Sequence, residues 1–124
     1  MPNVLIAGGG SGGHVAPAIA IAESLKDNSC DVFIAHSTRA IDHRMVEETS
    51  FQTTSLSANP LSLSPFGFIK FCIGFLRSAS QTKKYIRLHD IKCVIATGGF
   101  VAAPALWAAS QLGVPTILMN FDKP

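Results

Sequence analysis

Three short runs, Val4-Leu5-Ile6-Ala7, Val32-Phe33-Ile34-Ala35 and Val94-Ile95-Ala96, are apolar without interruption. Strands covered on both faces read this way, because no position along them has to be polar. Apolar residues between the runs repeat at helical spacing, as in Ala18, Ile19, Ala22 and Leu25. Pro17, assigned to the first turn of that helix, would lack only an N–H that the turn does not use. A polar helix is expected around Asp42 to Glu48, a short strand near Phe51 to Leu56, and a loop from Ser57 to Pro65, which is rich in Ser and Pro. A long helix follows from about Phe66 to Leu88, then a helix from Pro104 to Leu112 closed by Gly113, and a last strand from Val114 to Met119. Strand and helix alternate throughout, which predicts an α/β fold: a Rossmann-like parallel sheet with helices on both faces.

Such sheets bind ligands outside the carboxyl ends of their strands, where the strand order reverses. With the order 3-2-1-4-5, strands one and four would meet at that point. Both of their exits are rich in glycine: Gly8-Gly9-Gly10-Ser11-Gly12-Gly13-His14 after the first, Thr97-Gly98-Gly99-Phe100 after the fourth. A strand that turns through glycines into a helix offers backbone N–H groups at the positive end of a helix dipole. Two such nests side by side suit a diphosphate.

Gly8-x-Gly10-x-x-Gly13 also fits the dinucleotide fingerprint, which wants an acidic residue at the end of the second strand for the ribose hydroxyls. His36-Ser37-Thr38-Arg39 stands there instead, with no carboxylate. Ser37 and Arg39 as holders of a 2′-phosphate keep an NADP-binding alternative open. His14 sits at a helix N-terminus, a place that favours a neutral imidazole able to act as a base or a hydrogen-bond donor; the alternative is a histidine that caps its helix. His36, His43 and His89 have no partner at ligand spacing and are expected at the surface.

The chain has 124 residues, 48% of them hydrophobic and 15% charged, which is one domain's length and excludes disorder. Cys30, Cys72 and Cys93 are odd in number and show no metal-ligand spacing, so they are expected as reduced core thiols of a cytosolic protein, and no metal or cofactor is expected. The apolar N-terminus has no basic region before it, so no signal peptide is expected.

Net charge is +2 but unevenly placed. Met1 to Pro65 holds three basic and six acidic residues, while Phe66 to Lys92 holds six basic residues and Asp90. On the long helix, Phe68, Cys72, Phe75, Ala79 and Ile86 form one stripe, read as core. Lys70, Arg77 and Lys84 recur on the opposite side, with Phe66, Ile69 and Ile73 beside them. Apolar and basic side chains exposed together suit an anionic membrane surface; the alternative is that Phe66, Ile69 and Ile73 pack under the Ser57 to Pro65 loop. The stretch is too short, and too interrupted by Lys70, to span a bilayer. Low net charge and the lack of a binding motif argue against nucleic acid.

Gly9-Gly10-Ser11-Gly12-Gly13-His14-Val15-x-Pro17-Ala18, with Thr97-Gly98-Gly99-Phe100-Val101-x-x-Pro104 and Leu112-Gly113-Val114-Pro115, resembles the N-terminal half of the MurG-type glycosyltransferases of family 28. The resemblance covers essentially the whole chain. It implies residues 1–124 as the N-terminal, acceptor-binding domain of a two-domain GT-B enzyme, with a C-terminal donor domain for UDP-GlcNAc absent from this chain. It implies an inverting, metal-independent N-acetylglucosaminyltransferase acting on the lipid-linked diphosphate acceptor of peptidoglycan synthesis, peripheral on the cytoplasmic face of the bacterial inner membrane. Under it, His14 is the catalytic base, and Gly10, Ser11, Gly12, Gly13, His14, Thr97, Gly98, Gly99, Phe100 and Asp122 contact substrate. Phe66, Ile69, Lys70, Ile73, Arg77 and Lys84 contact the membrane. The chain departs from the family pattern at Ala96, Phe100 and Ala102, where Gly, Tyr and Ser are usual, and at Met119-Asn120-Phe121-Asp122. The alternative reading from another class is a non-catalytic, membrane-recruiting subunit of a two-chain glycosyltransferase.

Overall fold

The computed structural model describes residues 2–9 and 12–119, residues 12–14 for their backbone alone. Five parallel strands and four helices alternate in the predicted sequence: β1 (Asn3–Gly8), α1 (Gly12–Asp27), β2 (Asp31–Ser37), α2 (Ala40–Glu47), β3 (Gln52–Leu56), α3 (Pro65–Leu88), β4 (Cys93–Gly98), α4 (Ala102–Gln111) and β5 (Thr116–Leu118). The sheet order is β3-β2-β1-β4-β5, the order that puts the exits of β1 and β4 side by side. Leu5 pairs with Phe33 on one side and Val94 on the other, and Ile6 with Ile34 and Ile95.

Because successive strand residues face opposite ways, the apolar runs feed two cores. Leu5, Ala7, Phe33, Ala35 and Val94 pack with Ile86 of α3 and with Ala105 and Ala109 of α4. Val4, Ile6, Val32, Ile34 and Ile95 pack on the other face with Val15, Ala18 and Ala22 of α1 and with Val46 of α2. Helices therefore cover both faces, as the patterning requires. Leu5 and Ile6 are fully buried, and truncating either to Ala removes about 2–5 kcal/mol.

Several local expectations are corrected. Pro17 lies inside α1, beyond its first turn, so the carbonyl four residues back receives no N–H from it. The last strand is shorter than expected, since Val114 packs against the core instead of pairing. The three cysteines are free but only half-buried. His36 is not a surface residue: it is buried on β2, its Nδ1 2.7 Å from the Ser37 carbonyl and its ring 4.9 Å from that of His43. His89 is half-buried, its ring 4.7 Å from Phe33 and 4.2 Å from Tyr85. His43 is exposed, as expected.

The expected core stripe of α3 holds only in its second half. Ala79 and Ile86 are buried, Cys72 and Phe75 are half-buried, and Phe68 is 47% exposed. The helix starts cleanly, with Ser64 as N-cap accepting from the Gly67 N–H at 3.1 Å and Pro65 in the first turn. Burial begins at Gly74, so the first turns run past the edge of the sheet layer. The 57–64 loop is tied to α3 from one side: Asn59 Nδ2 donates to the Lys70 carbonyl at 3.1 Å, and the Gln81 amide exchanges two bonds with Ser57 at 2.9 Å each. Gly74 permits this approach, since a Cβ there would lie 2.7 Å from Asn59 Nδ2.

At the sheet edges, β3 is polar (Gln52-Thr53-Thr54-Ser55-Leu56), while β5 carries Ile117 and Leu118, exposed on opposite faces.

Candidate functional site

The carboxyl ends of β1 and β4 are in contact. Gly8 pairs with Gly98 after a register shift at Ala7, and the Gly9 N–H points to the Gly98 carbonyl at 3.4 Å. Gly98 and Gly99 have φ of +118° and +81°, a region that side-chain-bearing residues rarely enter. A Cβ on Gly99 would sit 2.7 Å from the Gly9 carbonyl carbon and closer still to its oxygen. Glycine is thus required twice at this position, for its backbone angles and for the approach of the first loop.

Each loop runs into the N-terminus of a helix, α1 at Gly12 and α4 at Ala102, and neither helix has an acidic residue in its first turn. The positive ends of two helix dipoles, which attract anions, therefore follow the adjoining exits of β1 and β4. Thr97 is buried. Phe100 is half-buried against the α3–α4 core, with the Arg39 guanidinium 5.2 Å from its ring centroid. Of the other site residues expected from sequence, Gly12, Gly13 and His14 have their backbone in the first turn of α1. The His14 side chain lies outside the described residues, as do Gly10, Ser11 and Asp122.

A second feature was not anticipated. Asp42, in the first turn of α2, is fully buried and turned back to the end of β2. Its Oδ2 accepts from the Ser37 N–H at 3.0 Å and from the Ser37 hydroxyl at 2.5 Å, and that hydroxyl accepts from the Arg39 N–H at 3.1 Å. A Cβ on Gly9 would lie 2.7 Å from the Ser37 nitrogen and nearer to the Asp42 carboxylate. A carboxylate does therefore stand at the end of the second strand, but it is supplied by α2 and is committed to Ser37. The Ser37 hydroxyl, satisfied as both donor and acceptor, has no capacity left for a 2′-phosphate. The sequence signal was a Ser at a strand end followed five positions later by an acid in a helix's first turn.

On the long helix, Phe66, Ile69 and Ile73 are 81%, 55% and 52% exposed, and Lys70, Arg77 and Lys84 are exposed around them. The 57–64 loop does not cover them. It adds Leu61 and Leu63 to the exposed apolar set, which also includes Leu76; the sequence reading had missed all three. Among the described residues no helix is long and apolar enough to cross a membrane, and no group of three or more His, Cys, Asp or Glu is placed to hold a metal. A depression of about 380 Å³ lies at the opposite end of the sheet, lined by residues including Glu23, Lys26, Asp27, Glu48 and Phe51. It is bordered by both signs of charge and neither glycine loop reaches it.

Residues 4–119 match the glycosyltransferase family 28 N-terminal domain. The chain belongs to this family. Among family-28 relatives, a UDP-N-acetylglucosamine–N-acetylmuramyl-(pentapeptide) pyrophosphoryl-undecaprenol N-acetylglucosamine transferase of Corynebacterium diphtheriae is 35% identical over 118 residues, 94% of this chain and 33% of that protein. The enzyme of the same name from Lactococcus lactis is 34% identical over 120 residues. This family-28 chain thus spans about a third of the length of the curated relatives it matches. The crystal structure of Acinetobacter baumannii MurG superposes with a TM-score of 0.83 at 23% identity, covering 97% of this chain and 35% of that one, which shows the shared fold.

Proposed function

We propose that this family-28 domain is the acceptor half of an N-acetylglucosaminyltransferase that extends a lipid-linked, diphosphate-bearing sugar. The observation that carries the reading is the contact of the two glycine loops at Gly9 and Gly99, which brings two helix N-termini side by side. The acceptor's diphosphate lies against the backbone of Gly10 to Gly13 and of Thr97 to Phe100 and the Ser11 side chain, while Asp122 contacts the acceptor's sugar. UDP-GlcNAc is held by a donor domain that faces this cleft. The acceptor hydroxyl oxygen attacks the anomeric carbon as the bond from that carbon to UDP breaks. UDP leaves with the electron pair, and the hydroxyl proton passes to His14. The configuration at the anomeric carbon inverts.

The acceptor never leaves the bilayer in this scheme, so the domain must come to it. Phe66, Ile69, Ile73, Leu61 and Leu63 enter the headgroup region, while Lys70, Arg77 and Lys84 pair with anionic lipid. The site of action is the cytoplasmic face of the bacterial inner membrane, with the protein bound peripherally.

The test is a titration of the isotope-labelled chain with a water-soluble lipid I analogue bearing a short prenyl group, followed by amide resonances. The analogue should shift Gly98, Gly99 and Phe100, and UDP-GlcNAc alone should leave them in place. Shifts with UDP-GlcNAc and none with the analogue would assign the domain to the donor and overturn the reading.

A further inference from the structure

Arg39 begins α2 as its N-cap, yet its side chain makes no capping bond. It is exposed, and its guanidinium lies over Phe100, 5.2 Å from the ring centroid. In the sheet, β1 stands between β2, which Arg39 follows, and β4, which Phe100 follows. Neighbouring strands are about 4.8 Å apart, so the ends of β2 and β4 are separated by roughly 10 Å. The Arg39–Phe100 contact therefore bridges the end of β1, where Gly9 enters the first glycine loop. The two ends of the bridge are fixed. Ser37 and Asp42 hold the Arg39 backbone through the 3.1 Å bond to the Ser37 hydroxyl, and the α3–α4 core holds Phe100.

Among the described residues the ion pair is Lys92 with Asp90, and no carboxylate pairs with Arg39. A guanidinium resting on an aromatic ring keeps its in-plane N–H donors available, and their fork matches two phosphate oxygens at once. The segment before Phe66 is otherwise acidic on balance, so this cation is placed against the local trend of charge.

We infer that Arg39 is a ligand-binding residue for a diphosphate: it spans the two glycine loops and clamps the anion that their backbone receives. The inference rests on the anion-site reading of the glycine cleft. It moves Arg39 from the edge of a ribose pocket to the centre of the cleft. Phe100 is the platform on which the guanidinium rests.

The experiment titrates the whole chain with inorganic diphosphate and with geranyl diphosphate, by calorimetry and amide resonances, for the wild type, Arg39→Gln and Arg39→Lys. Both probes should shift Gly98 and Gly99 in the wild type. Arg39→Gln should weaken binding about tenfold to a hundredfold, the range for a charge-assisted hydrogen-bonded contact. Arg39→Lys should recover part of the loss, since it restores the charge without the fork, and unfolding midpoints should be equal in all three. Tighter binding of geranyl diphosphate would support a lipid-linked ligand, and tighter binding of the inorganic ion would overturn that source. Equal affinity of wild type and Arg39→Gln, with the glycine shifts intact, would overturn the role of Arg39 and leave the glycine cleft standing. No shift of Gly98 or Gly99 by either probe in the wild type would overturn both.

Discussion

Gly99 and Gly113 both have left-handed backbone, with φ of +81° and +71°, but differ in what surrounds them. Gly113 ends α4, and a Cβ there meets nothing within 4 Å. Gly113→Ala should therefore cost only the conformational term, about 1 kcal/mol. At Gly99 the same term applies, and the new methyl would overlap the Gly9 peptide, which is backbone and cannot rotate away. Forcing the loops apart adds an overpacking cost of about 1–3 kcal/mol. Losing the 3.4 Å Gly9–Gly98 hydrogen bond adds up to about 1 kcal/mol. Gly99→Ala should thus lose about 2–5 kcal/mol, a large share of what a domain of this size possesses. Urea unfolding of the two variants measures the difference directly, and diphosphate binding should fall in Gly99→Ala alone. Equal stability losses in the two proteins would refute the contact between the loops, because the shared backbone term would then account for both.

Asp42→Ala should cost about 2–3 kcal/mol in urea unfolding, since it strands the buried Ser37 N–H and hydroxyl; a loss below about 0.5 kcal/mol would show that Ser37 finds other partners. Burial, the largest influence on His36, lowers its pKa below the ordinary 6.5. The unfolded chain then binds the extra proton, so stability should be complete above about pH 6.5 and fall as pH drops below it; a His36→Gln variant should show a shallower fall between pH 7.5 and 5.5, and an unchanged slope would contradict the assignment. Losing Lys70, Arg77 and Lys84 to Gln should reduce co-sedimentation with anionic vesicles by two orders of magnitude or more at low salt, at roughly 1 kcal/mol per charge; equal sedimentation of wild type and variant would leave the basic stripe as a solvated helix face. Calorimetry with NADPH should give no saturable heat, given the commitment of Ser37 to Asp42, and tight binding would restore the dinucleotide alternative.

The fold class was legible because β1, β2 and β4 carry unbroken apolar runs with helical spacing between them, while the sheet order was a supposition that the observed pairing matches. The contact between the loops followed from that supposed order, which makes β1 and β4 neighbours. Contacts that cross the sheet were not. Nothing in Ser37 or Asp42 alone says that one hydrogen-bonds the other, or that Gly9 lies against both. His36 was misplaced because a polar residue at a strand end reads as a way out to solvent, whereas α2 folds back over it and sets the His43 ring edge-to-face against its own. Phe68 was misplaced for the opposite reason. A helical stripe shows which side faces the core, but not how far along the helix the core extends, and α3 outruns it.

The unequal edges of the sheet bear on how this polypeptide behaves at high concentration. At β3 a Thr- and Ser-rich strand faces outward, a poor template for accretion. At β5, the other edge of the sheet among the described residues, a short strand carries exposed Ile117 and Leu118. Exposed, apolar and uncharged edges are where foreign strands add. Self-association through the sheet is thus expected at the β5 edge and not at the β3 edge, and Ile117→Lys is the kind of change that opposes it.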